Sequence, residues 1–141
     1  MRDLMEFKKR NKYPHMKPAD AKLIDRFIDK YPNAYTMVVF SFPVGDGAPN
    51  NPIVNEETEG SVEYLYQKKI DLVGFKGTSI DILEFRPKAG SSAVGNVLGY
   101  RDLFMRDERP GIKPDCIIVT DETNNDLDFV ARKQGVKIVV V

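Results

Sequence analysis

The sequence predicts an α/β domain, a mixed central β-sheet flanked by helices in the order α-β-β-β-α-β-α-β. Three observations carry this. Residues 68–86 hold two runs rich in Ile, Val, Leu and Phe around Gly77-Thr78, and Gly at the first central position is what a two-residue type II′ hairpin turn requires. Residues 18–31 and 93–106 repeat apolar side chains at helical spacing. The last third alternates a short β-branched run, a capped helical stretch and a second β-branched run, the pattern of a parallel crossover.

In chain order, residues 1–17 are basic, with Met and Phe interspersed and no sustained period, and read as an arm or short helix rather than core. The arm is expected to touch phosphate or a protein partner. His15, between Pro14 and Met16, has no second ligand candidate beside it and reads as a packing or solvent-facing residue. Residues 18–141 form the domain proper. Pro18 and Asp20 open a helix, Pro in its first turn and an acid at the positive end of its dipole. Leu23, Ile24, Phe27, Ile28 and Tyr31 give it one apolar face, and Pro32-Asn33 stops it. Residues 34–42, AYTMVVFSF, are a strand by β-branched and aromatic content, ended by Pro43. Residues 43–60 contain three prolines, three glycines and a run of acids, so they read as a long acidic loop, either an insertion or a docking element.

The strand resumes near Val62 and enters the hairpin. With the turn at Gly77-Thr78, partners have numbers summing to 155, which pairs Phe75 with Ile80, Val73 with Ile82, and Asp71 with Glu84. Alternation sets Lys69, Asp71, Val73 and Phe75 on one face with Ile80, Ile82, Glu84 and Arg86, while Leu72 pairs with Leu83 and Ile70 with Phe85 on the other. Both faces are largely apolar, as in a central strand pair. Two carboxylates directly opposite, with Cβ atoms roughly 5 Å apart, repel by about 3 kcal/mol at an effective dielectric near 20. Either a divalent metal or an internal ionic cluster with Arg86 and Lys69 must offset this, and spacing alone favours the ionic cluster.

Beyond Pro87, KAGSS supplies a loop and Ser caps for the helix over 93–106. Ala93, Val97, Tyr100 and Phe104 form its stripe, Gly95 and Gly99 are read as permitting close approach to the sheet, and Asn96 and Tyr100 share a face. A turn-rich link, the strand DCIIVTD, the helix NNDLDFVARKQ ended by Gly135, and the strand VKIVVV complete the chain.

Composition narrows the function classes. Among 141 residues, 21 basic and 21 acidic side chains cancel, so no global field draws the protein to nucleic acid or anionic membrane. The distribution is uneven: residues 1–22 carry seven Lys or Arg against three acids, whereas residues 44–64 carry five acids and no base. Cys116, the sole cysteine, excludes an intrachain disulfide and a cysteine-based zinc site, and inside CIIV it reads as a buried thiol. No apolar run reaches transmembrane length. A cytoplasmic or virion location with no membrane partner is expected.

The element order, an acid in the second strand and Glu-x-basic in the third together resemble the PD-(D/E)xK, or restriction endonuclease-like, superfamily over roughly residues 18–141. Asp71 matches its metal-binding aspartate, Glu84-Phe85-Arg86 its Glu-x-Lys, and Asn96 with Tyr100 the Gln-x-x-x-Tyr element of the RecB-type branch. The resemblance implies magnesium or manganese on Asp71 and Glu84, a cation at Arg86 beside the scissile phosphate, and DNA contacts from Arg86, Asn96 and Tyr100. This chain departs at two motif positions. Arg86 stands where the family has lysine, and guanidinium stays protonated, so it stabilises charge but cannot act as a base; Lys88, beyond Pro87, is the alternative ammonium. Asn96 shortens the glutamine. A lapsed site on a retained fold is therefore the expectation: a non-catalytic structural or docking module without cofactor, such as a phage head-to-tail connector, with protein partners through the arm and the 43–60 loop and self-association into an oligomer. An active magnesium-dependent DNA nuclease and a DNA-binding protein without cleavage are the alternatives.

Overall fold

The computed structural model describes residues 3–46 and 68–141. The elements run α1 (Pro18–Lys30), β1 (Met37–Val44), β2 (Lys68–Lys76), β3 (Ser79–Phe85), α2 (Ser91–Glu108), β4 (Asp115–Thr120), α3 (Asn125–Lys133) and β5 (Val136–Val140). They build a five-stranded sheet in the order β1-β2-β3-β4-β5, antiparallel from β1 to β3 and parallel from β3 to β5. Element order and mixed sheet agree with the sequence expectation.

The hairpin register also agrees. Val73 faces Ile82, Phe75 faces Ile80 and Lys76 faces Ser79, with Gly77 at φ +58° and Thr78 outside the left-handed region, the pattern of a type II′ turn. Each sheet face buries its own core. Val73, Ile82, Cys116 and Ile118 pack under α2 and α3 through Ala93, Val97, Phe104, Leu127 and Ala131. On the other face Leu72, Leu83, Phe85, Ile117 and Val119 meet α1 through Leu23, Ile24, Phe27 and Ile28. The apolar stripes anticipated for the helices are buried at Leu23, Ile24, Phe27 and Ile28 and at Ala93, Val97 and Phe104, whereas Tyr31 is exposed and Tyr100 half-buried, and Asn124 caps α3 by accepting the Leu127 amide at 2.9 Å.

Several expectations need correction. Pro43 does not end β1, because β1 is an edge strand, where a residue without an N–H is tolerated; Pro43 pairs with Lys69. The acidic loop over 43–60 therefore yields Pro43 and Val44 to β1, and its remainder from residue 47 lies outside the described residues. The α2 helix begins at Ser91 without a side-chain cap. A Cβ on Gly95 or Gly99 would meet nothing within 4 Å, so neither marks close approach to the sheet. Gly74 does: a Cβ there would fall 2.5 Å from the Tyr35 ring.

Residues 3–17, expected as an arm outside the core, are tied into it. Met5 and Val38 exchange two backbone hydrogen bonds of 2.8 Å along the β1 edge. Phe7 packs edge-on against Phe27 and Tyr35, and the buried Tyr13 donates its hydroxyl to Asp25 at 2.6 Å. Lys9 and Arg10 are engaged nearby, Lys9 with Asp29 at 2.8 Å and Arg10 over the Phe40 ring.

Alternation fails at one rung. In β1, Val38 and Phe40 join the α1-side core and Val39 the other, yet Phe42 and Val44 join Val39's side. In β2, Ile70 packs with Val73 rather than with Leu72. The expected Ile70–Phe85 pair is thus not made, since the two residues belong to opposite cores. Both strands switch faces at the same place, between Phe40↔Leu72 and Phe42↔Ile70, where Ser41 and Asp71 are left unpaired and Ser41 takes φ +52°.

Candidate nuclease-type site

That irregular rung creates the site. The β2–β3 ladder stops at Leu72↔Leu83, so Asp71 and Glu84 do not form the backbone pair expected of them. Instead the Asp71 carboxylate accepts the Phe85 amide at 2.8 Å, a side chain standing in for the strand backbone. On its other edge β3 stays paired with β4 from Asp81 to Phe85, and the Arg86 amide continues this with a bond to the Val119 carbonyl at 2.9 Å.

Glu84 is 3% exposed. Its Oε1 accepts from the Arg86 guanidinium at 3.1 Å, while Oε2, also buried, has no partner among the described residues. Arg86 keeps 42% of its side chain exposed. Burial is the main force on every acid here. It pushes Asp71 up to about 7, opposed by the Phe85 amide and reinforced by the negative charges of Glu84 and Asp20. Glu84 is also raised by burial, against the pull of Arg86.

Two further groups bear on this pair. Tyr100 of α2 has its hydroxyl raised first by burial and then by the charges of Glu84 and Asp71. Asp20, in the first turn of α1, is raised by burial and lowered by Arg86 and Lys17. Sequence reasoning missed Asp20 as a site residue because an acid in a helix's first turn is fully accounted for by the dipole. Only α1 packing over the Glu84 end of the sheet gives it a second role.

The remaining candidates are not drawn in. Lys88 is exposed, its backbone amide bonded to Asp121 at 2.7 Å and its charge lowering the Asp121 pKa. Asn96 is exposed one turn before Tyr100 on α2. Cys116 is buried, its thiol raised to about 11 by burial, in keeping with an inert core residue.

The donor set fits magnesium or manganese. Magnesium is held by one or two carboxylates and otherwise keeps waters or takes substrate phosphates, and the partnerless, buried Glu84 Oε2 is an oxygen that a cation would satisfy. Among the described residues no three His, Cys, Asp or Glu groups gather at ligand spacing, so a protein-saturated zinc-type cage does not fit.

Comparison with known proteins speaks to the fold. No family model and no curated sequence matches the chain. A solved complex of EndoMS with double-stranded DNA superimposes with a TM-score of 0.51 over 94% of this chain at 15% identity. The likeness and the mixed five-stranded α/β sheet are consistent with a restriction endonuclease-like fold. The chain spans about half of that structure's length, 48%. Among the described residues no helix is long and apolar enough to cross a membrane.

Proposed function

We propose that this chain is a non-catalytic nuclease-fold domain that binds DNA phosphate at the Asp71–Glu84–Arg86 cluster, with RecB-type motifs in degenerate form. The observation that carries it is the 3.1 Å bond from Arg86 to Glu84 Oε1 beside a Glu84 Oε2 that has no partner among the described residues. The cluster keeps the charge arrangement of a phosphodiester site but holds, in the lysine position, a group that cannot take a proton. Asp71 and Glu84 would hold magnesium or manganese, which when bound supplies positive charge to a phosphate oxygen. A guanidinium suits contact with a phosphate, and the Arg86 side chain is 42% exposed. The raised Tyr100 keeps its hydroxyl proton and so has one to donate to a phosphate oxygen. The set has no lysine in the family's position: Arg86 stays charged there, and the Lys88 backbone amide is bonded to Asp121. That EndoMS is solved as a complex with double-stranded DNA supports testing DNA first.

The test is anisotropy of fluorescent single- and double-stranded DNA with magnesium, manganese, calcium or chelator, followed by gel analysis of the same samples. Cation-dependent binding without cleavage, with weak cleavage emerging in Arg86→Lys, is expected. Robust wild-type cleavage abolished by Asp71→Ala and Glu84→Ala would replace this reading with an active nuclease.

A docking role, of which a phage head-to-tail connector is one form, is the second reading. It is favoured by Phe129, 58% exposed, and Val130 on α3 next to the edge strand β5. Native mass spectrometry showing a ring or a stable hetero-complex, with no DNA binding, would favour it.

A further inference from the structure

The rung at Ser41 and Asp71 has no explanation in core packing alone. Ser41 sits inside β1 with φ +52°, a conformation that a non-glycine residue keeps only when its surroundings over-determine it, and such residues gather at functional sites. Its surroundings do so here. The side chain is 6% exposed, and its hydroxyl donates to the Pro14 carbonyl at 2.5 Å, which anchors residues 3–17 to the middle of an edge strand. No residue is inserted in either strand. Partner numbers sum to 112 on both sides of the gap, so one pair has been opened in place rather than shifted.

The opening has two consequences. Both strands exchange faces, which brings Phe42 and Ile70 into the same core as Val39 and Val73. Asp71 is freed from the β1 ladder at the position where its carboxylate reaches the Phe85 amide. A regular rung at this position would hold Asp71 in the period-two alternation, and Ile70 would then share a face with Leu72 as the hairpin pattern demands.

We infer that Ser41, locked in the left-handed region by Pro14, is the positioning residue for the Asp71 carboxylate. The inference rests on the proposed cation-dependent site, but its first readout does not. In the Asp71 side chain's present place, the Phe85 amide is hydrogen-bonded to it, so that amide reports the carboxylate's position whether or not a metal binds.

The experiment compares wild type with Ser41→Gly, Ser41→Ala and Ser41→Val by amide exchange at Phe85 and by manganese titration. Glycine adopts the left-handed backbone at no steric cost although it loses the whole side chain, and alanine removes the hydroxyl alone. Valine disfavours that backbone and favours a regular strand. Expected is unchanged Phe85 protection in Ser41→Gly, with loss of about tenfold or more in Ser41→Val, and manganese affinity falling in the same order by about tenfold, the scale seen when groups orienting a ligand are removed. Should Ser41→Val fail to fold, Ser41→Ala takes its place, with a smaller loss of the same sign. Equal Phe85 protection in all folded variants would overturn the inference. If Asp71→Ala leaves manganese affinity unchanged while Phe85 protection follows the Ser41 series, the proposed function fails and the positioning role stands.

Discussion

The carboxylate of Asp71 takes the amide of Phe85 at 2.8 Å, at the point where the backbone ladder between β2 and β3 has stopped. One acid thereby serves the sheet and the site at once. It is held in place by a strand amide, yet burial and the neighbouring Glu84 and Asp20 charges oppose its ionisation.

The first prediction is a pH dependence of stability. Asp71 is raised from 3.8 to about 7 in the folded protein, so the folded state binds its proton more tightly than the unfolded one. Its contribution is present in full below pH about 4 and is lost as pH rises through about 7. Between pH 5 and 8 this should remove at least roughly 1 kcal/mol, or about 3 °C in Tm. Asp71→Asn, which can still accept from Phe85, should flatten that slope. Thermal melts of both proteins from pH 4 to 9 check it, and parallel slopes would refute it.

The second concerns Arg86. Its removal leaves Glu84 buried with neither oxygen partnered among the described residues. Losing one member of a fully buried pair costs about 3–5 kcal/mol, but Arg86 is 42% exposed, so Arg86→Ala should cost about 2 kcal/mol. Adding Glu84→Gln to Arg86→Ala should recover part of it, giving a coupling in the double-mutant cycle. Urea unfolding of the four proteins measures this. Additive losses would mean the bond contributes nothing.

The third uses metal as a ligand. If Asp71 and Glu84 hold magnesium or manganese, the wild-type Tm should rise with cation concentration by mass action, about 2.7 kcal/mol at a hundred times Kd. Glu84→Gln and Asp71→Asn should both lose this dependence. Persistence of the shift in the two variants would place the ion elsewhere.

The fourth tests the close approach of Tyr35 to β2. A methyl at Gly74 would fall 2.5 Å from the Tyr35 ring, whose hydroxyl donates to Asp81 at 2.6 Å. Gly74→Ala should therefore cost about 1–3 kcal/mol as overpacking. In a Tyr35→Ala background the same substitution should cost far less. Chemical denaturation in both backgrounds decides it.

The fifth separates anchor from arm. Phe7 is buried against Phe27 and Tyr35, with ring centroids 5.9 and 5.2 Å away. Phe7→Ala should destabilise by about 3 kcal/mol, as for a core phenylalanine, where a free docking arm would show no change in the unfolding midpoint.

The sequence by itself determined the element order, the helix faces, the type II′ turn and the hairpin register, because these follow from local periodicity and from the backbone freedom of one glycine at Gly77. It also singled out Asp71, Glu84 and Arg86, since Asp71 and Glu84 lie within one hairpin and Arg86 follows directly after it. Tertiary structure decided what lies outside local pattern. Phe7 and Tyr13 enter the core although residues 3–17 have no period, because burial there depends on where α1 and β1 meet. Asp20 joins the site from α1 across 51 residues of chain to Asp71. The face switch at Ser41 and Asp71 overturned the alternation of Ile70, because period two holds only while every residue keeps extended dihedrals. One serine at φ +52°, held by a carbonyl 27 positions away, breaks that condition, and no spacing rule within the strand contains it.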